Sequence, residues 1–176
     1  AATARTTQPA DIYIGVAASK ELKKTVVALA KFQPARPENP KDLELAETFR
    51  EIIRADLLYS RYFDLKEEPF SPANLSTGTD SIKFWKTTGA AYLVSAKASQ
   101  SETVWTFNAR LHDLGTGKVL VEKFYQGELR AVRRAAHLFS DDVILRVTGR
   151  KGIAHSKLAF SNNSTGSKEI YIVDYD

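Results

Sequence analysis

The 176-residue sequence contains neither cysteine nor methionine. Without cysteine there is no disulfide, no thiolate nucleophile and no sulfur-ligated metal site, and redox chemistry says nothing about compartment. The chain opens on Ala1-Ala2 instead of Met, so a processed or trimmed N-terminus is expected. That start suits the residues after a removed signal peptide and an arbitrary boundary equally. No run of about 18 apolar residues occurs, as a membrane-spanning helix would need. The G-x-S-x-G, P-loop and G-x-G-x-x-G signatures are missing as well. The three histidines, His112, His137 and His155, lie far apart and form no metal-ligand pair at helical spacing. We therefore expect no catalytic residues, no metal and no cofactor. Internal repeats are absent, and low complexity is confined to the N-terminal arm.

What is present is enough for one sizeable core: 43% of the residues are hydrophobic. The net charge of +4 is a mild surplus, ordinary for a solvated surface. Residues 1–10 are small and polar and are expected to form a flexible arm. Ile12, Ile14 and Val16 alternate with Tyr13 and Gly15 and predict a short strand. Thr25 to Ala30 is nearly all apolar, as in a strand buried on both faces. Pro34, Pro37 and Pro40 make Gln33 to Pro40 a loop, and Asn39 with Pro40 starts a helix running to about Ser60. That helix is expected to bury Ala46, Phe49, Ile53 and Leu57.

Arg61 to Leu65 predicts the next strand, and Glu67 to Thr79 a loop. A short helix, Ile82 to Thr87, capped by Asp80 or Ser81, should plug the core with Phe84 or Trp85 and end at Gly89. Strands are expected over Ala91–Ala98, Thr103–Asp113 and Lys118–Tyr125. In the middle one Trp105, Phe107, Ala109 and Leu111 share a face. Val132, Ala136, Phe139, Val143 and Val147 then mark one face of a helix that Gly149 closes. Lys157–Ser161 and Glu169–Val173 predict a hairpin across a turn-rich connection. The order implies an α/β fold: a two-layer sandwich, a mixed β-sheet with two main helices on one face, plus a C-terminal hairpin.

Two constellations bear on chemistry. His137 and Asp141 stand four apart on the last helix, which predicts a mutual hydrogen bond on its surface far more readily than an acid–base pair. Arg130, Arg133, Arg134, Arg146, Arg150 and Lys151 cluster in sequence near the same helix. Such a group contacts phosphates in nucleic-acid-binding or anionic-ligand domains. Here Asp141 and Asp142 interrupt it and no recognition motif accompanies it, so a solvated helix face is the default and no nucleic-acid partner is expected.

The run His137-Leu138-Phe139-Ser140-Asp141, then Val143-Ile144, Val147-Thr148-Gly149 and Lys151-Gly152-Ile153-Ala154, resembles the end of the N-terminal domain of the TolB family, periplasmic components of the Tol–Pal cell-envelope system. Ile170 to Asp176 (IYIVDYD) is similar to the family's entry into its β-propeller. Ile53 to Phe63, with Asp56, Leu57, Ser60 and Phe63, resembles the family's first long helix. Trp85, Gly89 and Leu93-Val94 match its Trp-x-x-x-Gly segment and following strand. The resemblance spans roughly residues 11–176. It marks Asp56, Trp85, Gly89, His137, Asp141, Gly149 and Gly152 as family-like structural positions.

The resemblance implies a fold like that of anticodon-binding domains and a non-enzymatic protein–protein interaction module. Its role would be outer-membrane integrity and envelope constriction at division. It implies TolA as a partner of the N-terminal segment, mapped onto Asp11, Ile12, Tyr13, Ile14, Gly15 and Val16, by strand addition. It also implies Pal as a partner of the propeller, and no membrane insertion. The chain departs from the family at Gly15-Val16-Ala17-Ala18-Ser19, which keeps Gly-Val and loses the following Asp and Pro, and at Ala30-Lys31-Phe32, which lacks a Pro. The expected division is an arm (1–10), an α/β domain (11–153), and a linker with the first strands of a propeller (154–176). With no blade to pack on, the hairpin is expected to lean on the sheet edge, pair with a neighbouring copy, or stay poorly ordered.

Overall fold

A computed structural model describes residues 23–67 and 79–175. The strand expected over Ile12–Val16, the six residues Asp11–Val16 and most of the Glu67–Thr79 loop lie outside the described residues.

The chain runs β1 (Thr25–Leu29), β2 (Gln33–Pro34), α1 (Pro40–Tyr59), β3 (Phe63–Lys66), α2 (Thr79–Thr87), β4 (Tyr92–Ser101), β5 (Val104–Asp113) and β6 (Val119–Glu128). A single 3₁₀ turn, Leu129–Ala131, leads into α3 (Val132–Thr148), and β7 (Lys157–Asn162) and β8 (Glu169–Asp174) follow. The main sheet has the order β3-β1-β4-β5-β6, with β2 also pairing β4. The β1–β3, β1–β4 and β2–β4 pairs are parallel, whereas β4–β5 and β5–β6 are antiparallel. The mixed sheet and its two long helices agree with the expectation.

Strand parity divides the core. Val27, Leu29, Val94, Ala96 and Ala98 join Trp105, Phe107, Ala109 and Leu111 on the face that α1 and α3 cover. α1 supplies Leu45, Ala46, Phe49, Ile53 and Leu57 to this cluster, and α3 supplies Val132, Ala135, Ala136, Phe139, Val143 and Ile144. Phe49 is its centre. Its ring stacks on Phe107 at 3.8 Å and meets Trp105 edge-on at 5.2 Å. The opposite parity, Ala28, Ala30 and Leu93, packs with Trp85, Ala90 and Leu114 in a smaller cluster. The short helix α2 thus adds a partial third layer behind the parallel half of the sheet.

Local chemistry sets the element ends. The Asn39 side chain accepts the Lys41 amide at 3.0 Å with Pro40 in the first helical turn, as expected. Gly149 closes α3 at φ 71°, and its amide donates to the Leu145 carbonyl at 2.9 Å.

Four expectations need correction. Gln33–Pro34 is a short strand, because Phe32 is drawn into the core beside Phe107 and carries the next residues along β4. β4 continues through Ser101 and β6 through Glu128, each paired to β5 along its length, so the turn falls at Glu102 (φ 49°). α2 begins at Thr79, ahead of the capping residues inferred from sequence. Of the three placements expected for the hairpin β7–β8, the sheet edge is not the one seen: among the described residues it forms a two-stranded sheet of its own.

Candidate functional site

The family-like residues gather in two places. Trp85 is fully buried in the smaller cluster, and Gly89, exposed and at φ 78°, ends α2 beside it. The other five converge where α1, α3 and the outgoing chain meet.

Asp56 projects from α1 and His137 from α3 because each lies on its helix's inner face, Asp56 three residues after buried Ile53 and His137 three before buried Ser140. They meet in the interior, with His137 Nδ1 at 2.9 Å from Asp56 Oδ2 and 3.1 Å from Oδ1. Both side chains are under a tenth exposed. A carboxylate at that depth demands such a partner, and the pair fixes the register of the two helices.

One turn on, Asp141 faces outward onto the segment leaving the domain. Its Oδ1 accepts the Ala154 amide at 2.8 Å, and its Oδ2 accepts the His155 amide at 3.3 Å and pairs with His155 Nδ1. Gly152 passes so close that a Cβ there would overlap the carboxylate and lie 2.7 Å from the Asp141 Cα. The predicted His137–Asp141 bond is therefore replaced by contacts outside the helix, His137 with Asp56 and Asp141 with Ala154 and His155. The i, i+4 spacing set both side chains on adjacent turns, but tertiary partners outcompete an exposed intrahelical contact worth a few tenths of a kcal/mol.

Beside this junction lies a cleft of about 180 Å³ lined by Asp56, Tyr59, Tyr62, Ile144, Ile153 and Tyr175, among others. Tyr175 meets Tyr59 edge-on at 5.1 Å, and its hydroxyl pKa is raised by burial and then by Tyr59 and Asp56. Arg150 sits 5.8 Å over the Tyr62 ring.

Elsewhere ionisable groups also serve structure. Asp42, in the first turn of α1, is fully buried. It accepts Arg36 Nε and Nη2 (both 2.9 Å), the Arg36 amide (3.1 Å) and the Gln100 amide (2.8 Å), tying the loop after β2 to the end of β4. The Arg36 guanidinium holds its carboxyl below the ordinary carboxylate value. Glu67 bridges Arg50 and Arg54 of α1. Ser95 Oγ lies 3.1 Å from His112 Nε2, but Ser95 is buried, so the pair presents no nucleophile. Burial, then the Arg110 charge, lowers the His112 pKa. Of the basic residues clustered in sequence, Arg130 pairs with Glu128; outside that cluster, Lys123 pairs with Asp142 across the α3–β6 groove. No group of three or more His, Asp or Glu positioned to hold a metal occurs among the described residues. No helix there is long and apolar enough to cross a membrane.

The model of the TolB amino-terminal domain matches residues 14–120. The chain belongs to the TolB family. The Tol-Pal system protein TolB of Geobacter sulfurreducens is 32% identical over 168 residues, covering 94% of this chain and 38% of that protein. The TolB homolog of Chlorobium chlorochromatii is also 32% identical, over 135 residues, covering 75% of this chain and 31% of that protein. The chain thus spans less than two-fifths of the length of these relatives. The crystal structure of TolB from Acinetobacter baumannii superimposes with a TM-score of 0.67 at 21% identity, covering 88% of this chain and 37% of that one. Its likeness places this chain's α/β body in the same fold. The family resemblance read from scattered motifs is borne out, and with it the fold class.

Proposed function

We propose that this chain is a non-enzymatic protein–protein interaction module of the Tol–Pal cell-envelope system, working in the periplasm. Its partner is TolA, engaged through Asp11–Val16 as an added strand. Residues 11–153 form the interaction domain, and 154–176 lead toward a propeller that engages Pal. Its role is to keep the outer membrane intact and to support envelope constriction at division. The observation carrying this reading is the match to the TolB amino-terminal domain over more than half of the chain. The use of ionisable groups supports it: Asp56–His137 and Asp141–His155 fasten helices and the outgoing chain, and Ser95 lies buried behind His112. Titration calorimetry against the C-terminal domain of TolA tests it. The chain should bind, and removal of residues 1–18 should abolish binding; binding unchanged by that deletion refutes the strand-addition model.

A further inference from the structure

We propose that the Asp141 carboxylate is a latch that fixes the direction in which the hairpin β7–β8 leaves the α/β body, with Gly152 as its seat. Burial does not hold the hairpin. Both of its faces carry apolar side chains in the open: Leu158 and Phe160 on one, Ile170 and Ile172 on the other, with Ile170 79% and Ile172 65% exposed. Among the described residues its strands pair only with each other. A two-stranded ribbon in that position would swing freely about residues 150–156 unless polar contacts stopped it.

Those contacts come chiefly from one side chain. Asp141, on a rigid helix and only 12% exposed, takes the amides of two consecutive residues, Ala154 and His155, and the His155 ring besides. Fixing consecutive amides fixes the backbone direction as well as its position. Gly152 and Ala154 are buried against the body. Any side chain at 152 would push the strap off the carboxylate. The Tyr175 amide donates to the Ser156 carbonyl at 3.2 Å and closes the base of the hairpin, so the direction set at 154–155 passes to both strands. Tyr175 on Tyr59 is the second point of attachment, an edge contact between rings whose hydroxyls also interact, and it is the weaker one because Tyr59 stands 66% exposed. The other charged groups around the latch are Lys123 and Asp142, which satisfy each other, and Lys151.

The cysteine-free chain allows a clean distance test: spin labels on Glu44→Cys in α1 and Ser161→Cys in β7, read by double electron–electron resonance. The parent should give one narrow distance distribution. Asp141→Ala and Gly152→Ala should each widen it at least two-fold, and Asp141→Asn less, while the cooperative melt of the body persists. Unchanged width in Asp141→Ala, or widening by Tyr59→Ala alone, overturns the latch. So does a parent distribution that is already broad, or an Asp141→Ala chain that loses its cooperative melt, since the carboxylate would then belong to the core.

Discussion

β5 and the hairpin β7–β8 are written in the same alphabet and end in opposite environments. In β5, Trp105, Phe107, Ala109 and Leu111 alternate with polar residues, and each is at most 1% exposed because α1 and α3 lie over that face. In β8, Ile170 and Ile172 share one face, with Tyr171 and Val173 on the other, and the two isoleucines remain mostly exposed. Alternation makes a strand; burial requires a second surface at the right height. The body owes its shape to stacked apolar layers, with its ions serving as ties between helices. The hairpin has a ladder of hydrogen bonds, one stacked aromatic pair (Phe160–Tyr171, 5.6 Å), and a polar fastening at its root.

The largest expected effect on that contrast is within the body. Asp56→Ala leaves His137 deep between α1 and α3 without its carboxylate and should cost about 3–5 kcal/mol of global stability, measured by urea denaturation. A loss below about 1 kcal/mol would mean that the pair is incidental to the helix packing. A smaller effect should come with pH. His112 has a lowered pKa, so folding disfavours its proton. Its contribution is complete above the ordinary histidine value of about 6.5 and is lost as pH falls through the lower folded value. The denaturation midpoint should drop over that window in the parent and less in His112→Gln; parallel profiles would remove His112 from the account. The smallest effect belongs to the hairpin. Ile170→Ser should change global stability by no more than about 0.5 kcal/mol, because a side chain already in water has little burial to lose. A loss as large as that of a core truncation would show that the hairpin face has a partner.

Most of the body was legible in the sequence. The Phe49, Ile53 and Leu57 stripe, the β5 alternation and the Gly149 stop are local signals, and tertiary structure reinforces each of them. The junction was legible only in part. Asp56, His137, Asp141 and Gly152 stood out by family resemblance, yet their pairing did not, since residues 81 apart in sequence meet at the Asp56–His137 bond. A helical spacing of four proposed the wrong partner for His137. Nothing in the local pattern points Asp141 at the amides 13 and 14 residues ahead. β2 was hidden by Pro34 and the prolines that follow it, yet two residues suffice for a parallel pairing that Phe32 positions from the core. The hairpin's strands were visible, but what they rest on is not encoded in their own alternation.

The central claim is that one chain holds two tiers of stability, an apolar-layered body and a hairpin fastened only at its root. Native-state hydrogen exchange measures it directly. Amides in β4, β5 and the centres of α1 and α3 should exchange only through global unfolding, while those of β7 and β8 should exchange at least a thousand-fold faster. Equal protection in the hairpin and β5 would contradict the account.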